Sequence, residues 1–298
     1  MKYLSLFIIT LSVTSLSAFA NKEAVNDTTF QKSLEKVERS FDGKIGVYAI
    51  DTNNNQILAY RADERFPFQS TFKLLGAAAL LQKSDHDKKL LKERIKYTEK
   101  DLLSWHPITG KYVKSGMTLE GLAAATVSYS DTSAINLIIK KFGGPTFITK
   151  FARSIGNKSF NLVHNEPNLN SNPNYPDDTV TPKDMAISVE KLTQGHILTK
   201  RQQAQLVTWM MNTTTSYKRM RAAAPLAWVV ADKTGSGNYG VANDIGIMWS
   251  PSCKPIVLAI YTEGTKQAAK SREDIVATTT AMILNEFAKN NTCFGALS

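Results

Sequence analysis

Strand patterns sit at both ends of this chain, with a long helical stretch between them. The spacing predicts strands over 44–51 and 56–61, joined by an asparagine-rich turn at Asn53 to Asn55, and three more over 227–236, 242–249 and 255–262. Between them, apolar periodicity predicts helices over 72–82, 119–125, 132–141, 145–154, 182–192 and 200–211. Two further helices, over 28–41 and 266–288, flank the strands. A lone two-stranded hairpin is marginal in water, so the terminal strands need one another. The simplest solution is an α/β (α+β) fold with one five-stranded antiparallel sheet built from both chain ends. The first and last helices cover it, and the central helices form a second, all-helical domain. The expected division is 21–65 with 213–298 for the sheet domain and 66–212 for the helical one. A cleft between the two is the natural ligand site. With 298 residues, 43% of them hydrophobic, the chain can bury such a core.

The first twenty residues read as a secretory signal. Lys2 gives the positive start, 4–13 are almost wholly apolar, and Ala18-Phe19-Ala20 is a small-x-small cleavage site. Cleavage after Ala20 predicts a mature chain starting at Asn21, exported to the periplasm or secreted. The formal charge is +10. The basic residues are scattered, and in the densest run, 83–96, Asp85, Asp87 and Glu93 interrupt them. That is a solvated face without interleaved aromatics, so nucleic acid is not an expected partner. The two cysteines, Cys253 and Cys293, lack metal-site spacing. In an exported chain they either pair or remain two free thiols.

Four short stretches carry candidate chemistry. Ser70-Thr71-Phe72-Lys73 opens an apolar helix. Residues three apart on a helix share a face, so hydroxyl and amine meet. A serine attacks only when a base takes its proton, and a lysine can do so only with a lowered pKa. The others are Ser130-Asp131-Thr132 before a helix, Glu166-Pro167-Asn168-Leu169-Asn170, and Lys233-Thr234-Gly235-Ser236 at a strand end. The glutamate lies in 161–182, a polar loop rich in proline and asparagine, of a length that is usually functional. Taken singly, each reads as readily as a helix cap, a surface carboxylate or a strand end. All four in this order do not.

In that order the chain resembles a class A serine β-lactamase over nearly its whole mature length. Ser104-Trp105-His106-Pro107, Gly116-Met117-Thr118-Leu119 and Asn243-Asp244 agree with it. The resemblance implies Ser70 as nucleophile, with Lys73 or Glu166 (through a water) as acylation base. Ser130 would relay a proton to the leaving nitrogen. The backbone N–H groups of Ser70 and Ser236 would hold the oxyanion. Glu166 and Asn170 would hold the deacylating water behind a cis Glu166–Pro167 bond. Lys233, Thr234, Gly235, Ser236 and Arg219 would bind the substrate carboxylate, Thr132 its acylamide, and Trp105 would flank the cleft mouth. The expected partners are β-lactam antibiotics and mechanism-based β-lactam inhibitors. No metal or organic cofactor is expected, and a monomer is. A Cys253–Cys293 bridge follows if the closing helix runs antiparallel to the last strand.

Penicillin-binding transpeptidases and acylated sensor domains share Ser-x-x-Lys and Lys-Thr-Gly. Glu166 with Asn170 separates the hydrolase from both. The chain departs from the family pattern in places. Thr132 stands where an asparagine is usual, and 241–244 carry no arginine, leaving Arg219 for that role. Gln69, Gly237 and Asn238 leave no active-site cysteine pair. His164 replaces the arginine that pairs with Asp178, which predicts deacylation lost at alkaline pH as the imidazolium is neutralised.

Overall fold

Helix α1 (Thr28–Phe41) leads into a hairpin of β1 (Gly43–Asp51) and β2 (Ile57–Tyr60) in the computed structural model, which describes residues 28–172, 174–291 and 294. The signal segment lies outside those residues. The chain then leaves the sheet through β3 (Phe66–Pro67) and α2 (Phe72–Lys83). There follow β4 (Arg94–Ile95), β5 (Met117–Thr118), α3 (Leu119–Ser128), α4 (Thr132–Lys141) and α5 (Thr146–Ser154). Next come β6 (Thr179–Val180), α6 (Pro182–Thr193), α7 (Lys200–Met211) and the single turn α8 (Met220–Ala223). The chain returns as β7 (Val229–Ser236), β8 (Ala242–Trp249) and β9 (Ile256–Gly264), and ends in α9 (Glu273–Ala288).

The sheet order is β2-β1-β9-β8-β7, antiparallel throughout. The expected union of the two chain ends is therefore present. β1 pairs with β9 along its whole length, from Gly43 opposite Gly264 to Asp51 opposite Ile256. Successive side chains of a strand point to opposite faces, and here both faces are dry. Ile45, Val47 and Ala49 cluster with Phe30 and Leu34 of α1 and Val276, Ile283 and Phe287 of α9. Tyr48, Ile50, Val257 and Ala259 join the core that runs on through Met185 and Val189 of α6 into the helical layer. At the centre of that layer α2 is buried from Phe72 to Leu81. A helix apolar on every side belongs in an interior.

The structure corrects two element boundaries and adds short pairings. α9 begins at Glu273, not at 266. The preceding backbone makes other bonds: Tyr239 N–H donates to Gln267 O, and the Ser271 hydroxyl donates to Val241 O. α3 continues to Ser128 instead of ending at 125. The two-residue ladders β3–β6 and β4–β5 were not expected, being too short to show a period. Cys253 is disulfide-bonded, and its expected partner, Cys293, lies outside the described residues. Among the described residues no helix is long and apolar enough to cross a membrane.

Candidate active site

Ser70 sits in a 3-10 turn, Gln69–Thr71, that runs straight into α2. Phe68 stacks on Phe160 at 4.9 Å and packs against Phe72, fixing the turn from below. Gln69 is held at φ +46°, a costly conformation for a residue with a Cβ. Three residues on, Lys73 is completely buried. Its Nζ donates to Ser130 O at 2.8 Å and lies 3.0 Å from Glu166 Oε1 and 3.5 Å from Ser130 Oγ. Burial pulls the Lys73 amine below the usual lysine range, while the Glu166 charge works against that pull.

Ser130 also has positive φ, +55°. Asp131 explains how that turn is held. Its buried carboxylate accepts from the N–H groups of Ile108, Thr109 and Ala134 and from the Thr109 hydroxyl. It thereby caps α4 and ties the Ser130 turn to the 105–109 segment. The Ser130 hydroxyl lies 3.0 Å from Lys233 Nζ, between the two buried lysines. Lys233 is pushed well below its usual range, first by burial and then by the Lys73 charge.

The Glu166–Pro167 bond is cis, as the resemblance implies. The Glu166 carboxylate faces Ser70 Oγ at 3.4 Å as well as Lys73. Asn136 of α4, a residue the sequence reading missed, donates its amide to Glu166 O at 2.7 Å. Asn170 is placed differently from expectation. Its amide donates to the carbonyls of Asn172, Tyr175 and Asp177, and its oxygen accepts from Asn172 N–H. Among the described residues no hydrogen bond joins it to Glu166; it shapes the loop. Gln69, also missed as a site residue, ties the nucleophile turn to this loop by donating to Asn170 O at 2.7 Å and to Ser171 Oγ.

His164 Nδ1 does meet Asp178, at 2.7 Å. Asp178 is fully buried and also accepts from the N–H groups of Val163, His164 and Asn170. A neutral imidazole protonated at Nδ1 would still donate. The carboxylate is thus held by three backbone N–H groups as well as by His164.

β7 supplies the opposite wall. A Cβ on Gly235 would lie 2.8 Å from Phe68 O and 3.2 Å from Ser70 N, so only glycine lets this edge strand approach the nucleophile turn. Thr234 Oγ1 is 2.5 Å from Thr215 Oγ1. Arg219 is buried and nearly saturated. It donates to Gly235 O, Asn243 O and the Ser236 hydroxyl, and pairs with Glu273 at 3.0 Å. It therefore reaches the cleft chiefly through Ser236. Beneath Lys233, buried Asp232 pairs with Arg221 at 2.7 Å. Burial, and after it the Asp232 charge, pushes the Asp244 carboxyl well above the usual carboxylate range.

At the rim, Trp105 is half exposed, and its Nε1 donates to Tyr129 O. The Thr132 hydroxyl donates to Trp105 O at 2.6 Å. The assembly brings together a serine, a carboxylate within reach of it, two buried amines sharing a second hydroxyl, and a polar strand edge. That set suits acyl transfer through an ester, followed by base-assisted hydrolysis.

Residues 29–287 match the Beta-lactamase enzyme family. The chain is 46% identical to Beta-lactamase OXY-2 of Klebsiella oxytoca, over 85% of this chain and 88% of the relative. It is 45% identical to Beta-lactamase CTX-M-97 of Escherichia coli, over 86% and 89%. The crystal structure of a β-lactamase from Desulfarculus baarsii superposes with a TM-score of 0.86 at 39% identity, covering 87% of this chain and 97% of that one.

Proposed function

The chain belongs to the class A β-lactamase family, and from that premise we propose that Ser70 opens the strained cyclic amide of a β-lactam and Glu166 drives hydrolysis of the resulting ester. The protein is a β-lactam hydrolase that confers antibiotic resistance. The observation that carries the mechanism is the position of Glu166, 3.4 Å from Ser70 Oγ and 3.0 Å from Lys73 Nζ.

Acylation begins as the Ser70 proton passes to Glu166 or to Lys73, whose amine is favoured in its neutral form by burial. The backbone N–H groups of Ser70 and Ser236 receive the developing oxyanion, each worth about 10²–10³ in rate. Ser130, poised between Lys73 and Lys233, hands a proton to the leaving nitrogen. Lys233, Thr234 and Ser236 bind the substrate carboxylate, with Arg219 orienting the Ser236 hydroxyl. In deacylation Glu166 takes a proton from water, and the ester on Ser70 is cleaved. Asn170 serves this step by holding the loop, since its amide is committed to loop carbonyls. The enzyme works as an exported monomer after removal of 1–20. Its sheet part comprises 21–65 and 213–298 and its helical part 66–212. Mechanism-based β-lactam inhibitors acylate the same serine.

The test follows intact mass and turnover together, with a penicillin, a cephalosporin and a carbapenem. The native chain should turn over without a persistent adduct. Glu166→Ala should acylate at Ser70 and remain acylated, with deacylation slower by roughly 10²–10⁴. A Glu166→Ala variant that still turns over at the native rate would remove Glu166 from the mechanism.

A further inference from the structure

A cavity of about 740 Å³ adjoins the Ser130 side of the cleft without being part of it. Ser70, Lys73, Ser130, Glu166 and Lys233 are all absent from its lining. Its walls carry Tyr112, Tyr129, Trp209, Met211, Tyr217 and Arg94. The volume falls in the range that holds a small organic ligand. Among the described residues few large apolar side chains are exposed, and Tyr112, Tyr129, Met211 and Tyr217 of these all face this one cavity. Concentrated exposure of that kind marks binding surface rather than chance. Among the described residues Arg94 is the lone charged residue of the lining. One of its guanidinium nitrogens donates to Gly116 O, and its remaining N–H groups have no protein partner among the described residues. Aromatic walls with one cation and no carboxylate suit a flat aromatic ring bearing a negative group.

The cavity also touches the backbone that positions Ser130. Ser128 and Thr214 line it, and Thr214 donates both its N–H and its hydroxyl to Ser128 O. Ser128 in turn donates its hydroxyl to Trp209 O. Two residues beyond Ser128 lies the strained Ser130, and one beyond Thr214 lies Thr215, the partner of Thr234. A ligand that shifts Tyr129 or the Ser128–Thr214 clamp therefore shifts both walls of the carboxylate side of the cleft.

We propose that this cavity is a second site, separate from the substrate cleft, for a small aromatic anion, and that its occupancy lowers turnover through the Ser128–Ser130 segment. Calorimetry with 2-naphthoate tests binding, with the neutral 2-naphthamide as control. Binding should be one to one and should survive acylation of the cleft by a slowly hydrolysed β-lactam, with attachment verified by intact mass. Ala124→Trp fills the cavity from a partly exposed position on α3, and should weaken naphthoate at least tenfold. Arg94→Gln, an exposed change tolerable to the fold, should weaken naphthoate severalfold and leave naphthamide unaffected. In the native enzyme naphthoate should lower kcat without a matching rise in KM, and in Ala124→Trp it should not. Loss of binding on acylation, equal binding by both variants, or an effect on KM alone would overturn the proposal. Binding is read without turnover, so this result stands apart from the role given to Ser70.

Discussion

Thr132 and Glu263 show how much one side chain can decide. An asparagine amide at position 132 could both donate to and accept from a substrate side-chain amide. The Thr132 hydroxyl is shorter, and its proton is already engaged by Trp105 O. Thr132→Asn is expected to change the ratio of penicillin to cephalosporin kcat/KM severalfold; an unchanged ratio in steady-state assays would refute the reading. Glu263, at the end of β9, is buried with its Oε2 unpartnered among the described residues and Lys44 Nζ 3.9 Å from Oε1. Burial pushes its carboxyl from the usual 4.5 up to about 7, with Lys44 and Arg61 opposing and Glu64 adding to the shift. A carboxyl raised on folding favours the neutral acid. Its contribution is present in full below pH 4.5 and is lost as pH rises through about 7. Glu263→Gln, which mimics the acid, should raise stability at pH 8 by on the order of 1–3 kcal/mol and leave it unchanged at pH 4. Urea unfolding at the two pH values measures this.

At the scale of elements, the loop from 161 to 178 is an anchored strap with its two ends fastened differently. Asp178 gathers three backbone N–H groups and His164 at one end. Gln69 and Asn136 hold the Asn170 and Glu166 carbonyls. His164→Ala therefore removes one of four bonds to Asp178, whereas Asp178→Ala releases all of them. Stopped-flow deacylation should fall only a fewfold for His164→Ala and by roughly a hundredfold or more for Asp178→Ala, the scale of a lost positioning element. The closing helix illustrates the opposite case. Residues 266–272 carry a helix-compatible pattern, but the 239–241 turn takes their hydrogen bonds, and α9 starts only after it.

At the scale of the molecule, the two chain ends are locked together at the middle of the sheet. β1 and β9 lie between β2 and β8, with helices on both faces, so their amides should exchange only through global unfolding. Amides of the 161–178 loop, whose partners are side chains and turns, should exchange by local opening. Hydrogen exchange read by mass spectrometry distinguishes the two regions, and comparable rates would contradict this layering. The sequence by itself determined the strands at both ends, the helices between them, the motifs and their order. These features rest on local periodicity and on residue types set at fixed spacing. Only the tertiary structure decided that the Asn170 amide bonds to loop carbonyls, that Arg219 meets the Ser236 hydroxyl, and that Gln69, Asn136 and Asp131 bond to the segments around the site. Those bonds depend on which donors and acceptors meet across as many as a hundred intervening residues. Such a meeting leaves no period in the chain, because hydrogen bonding is settled by distance in space.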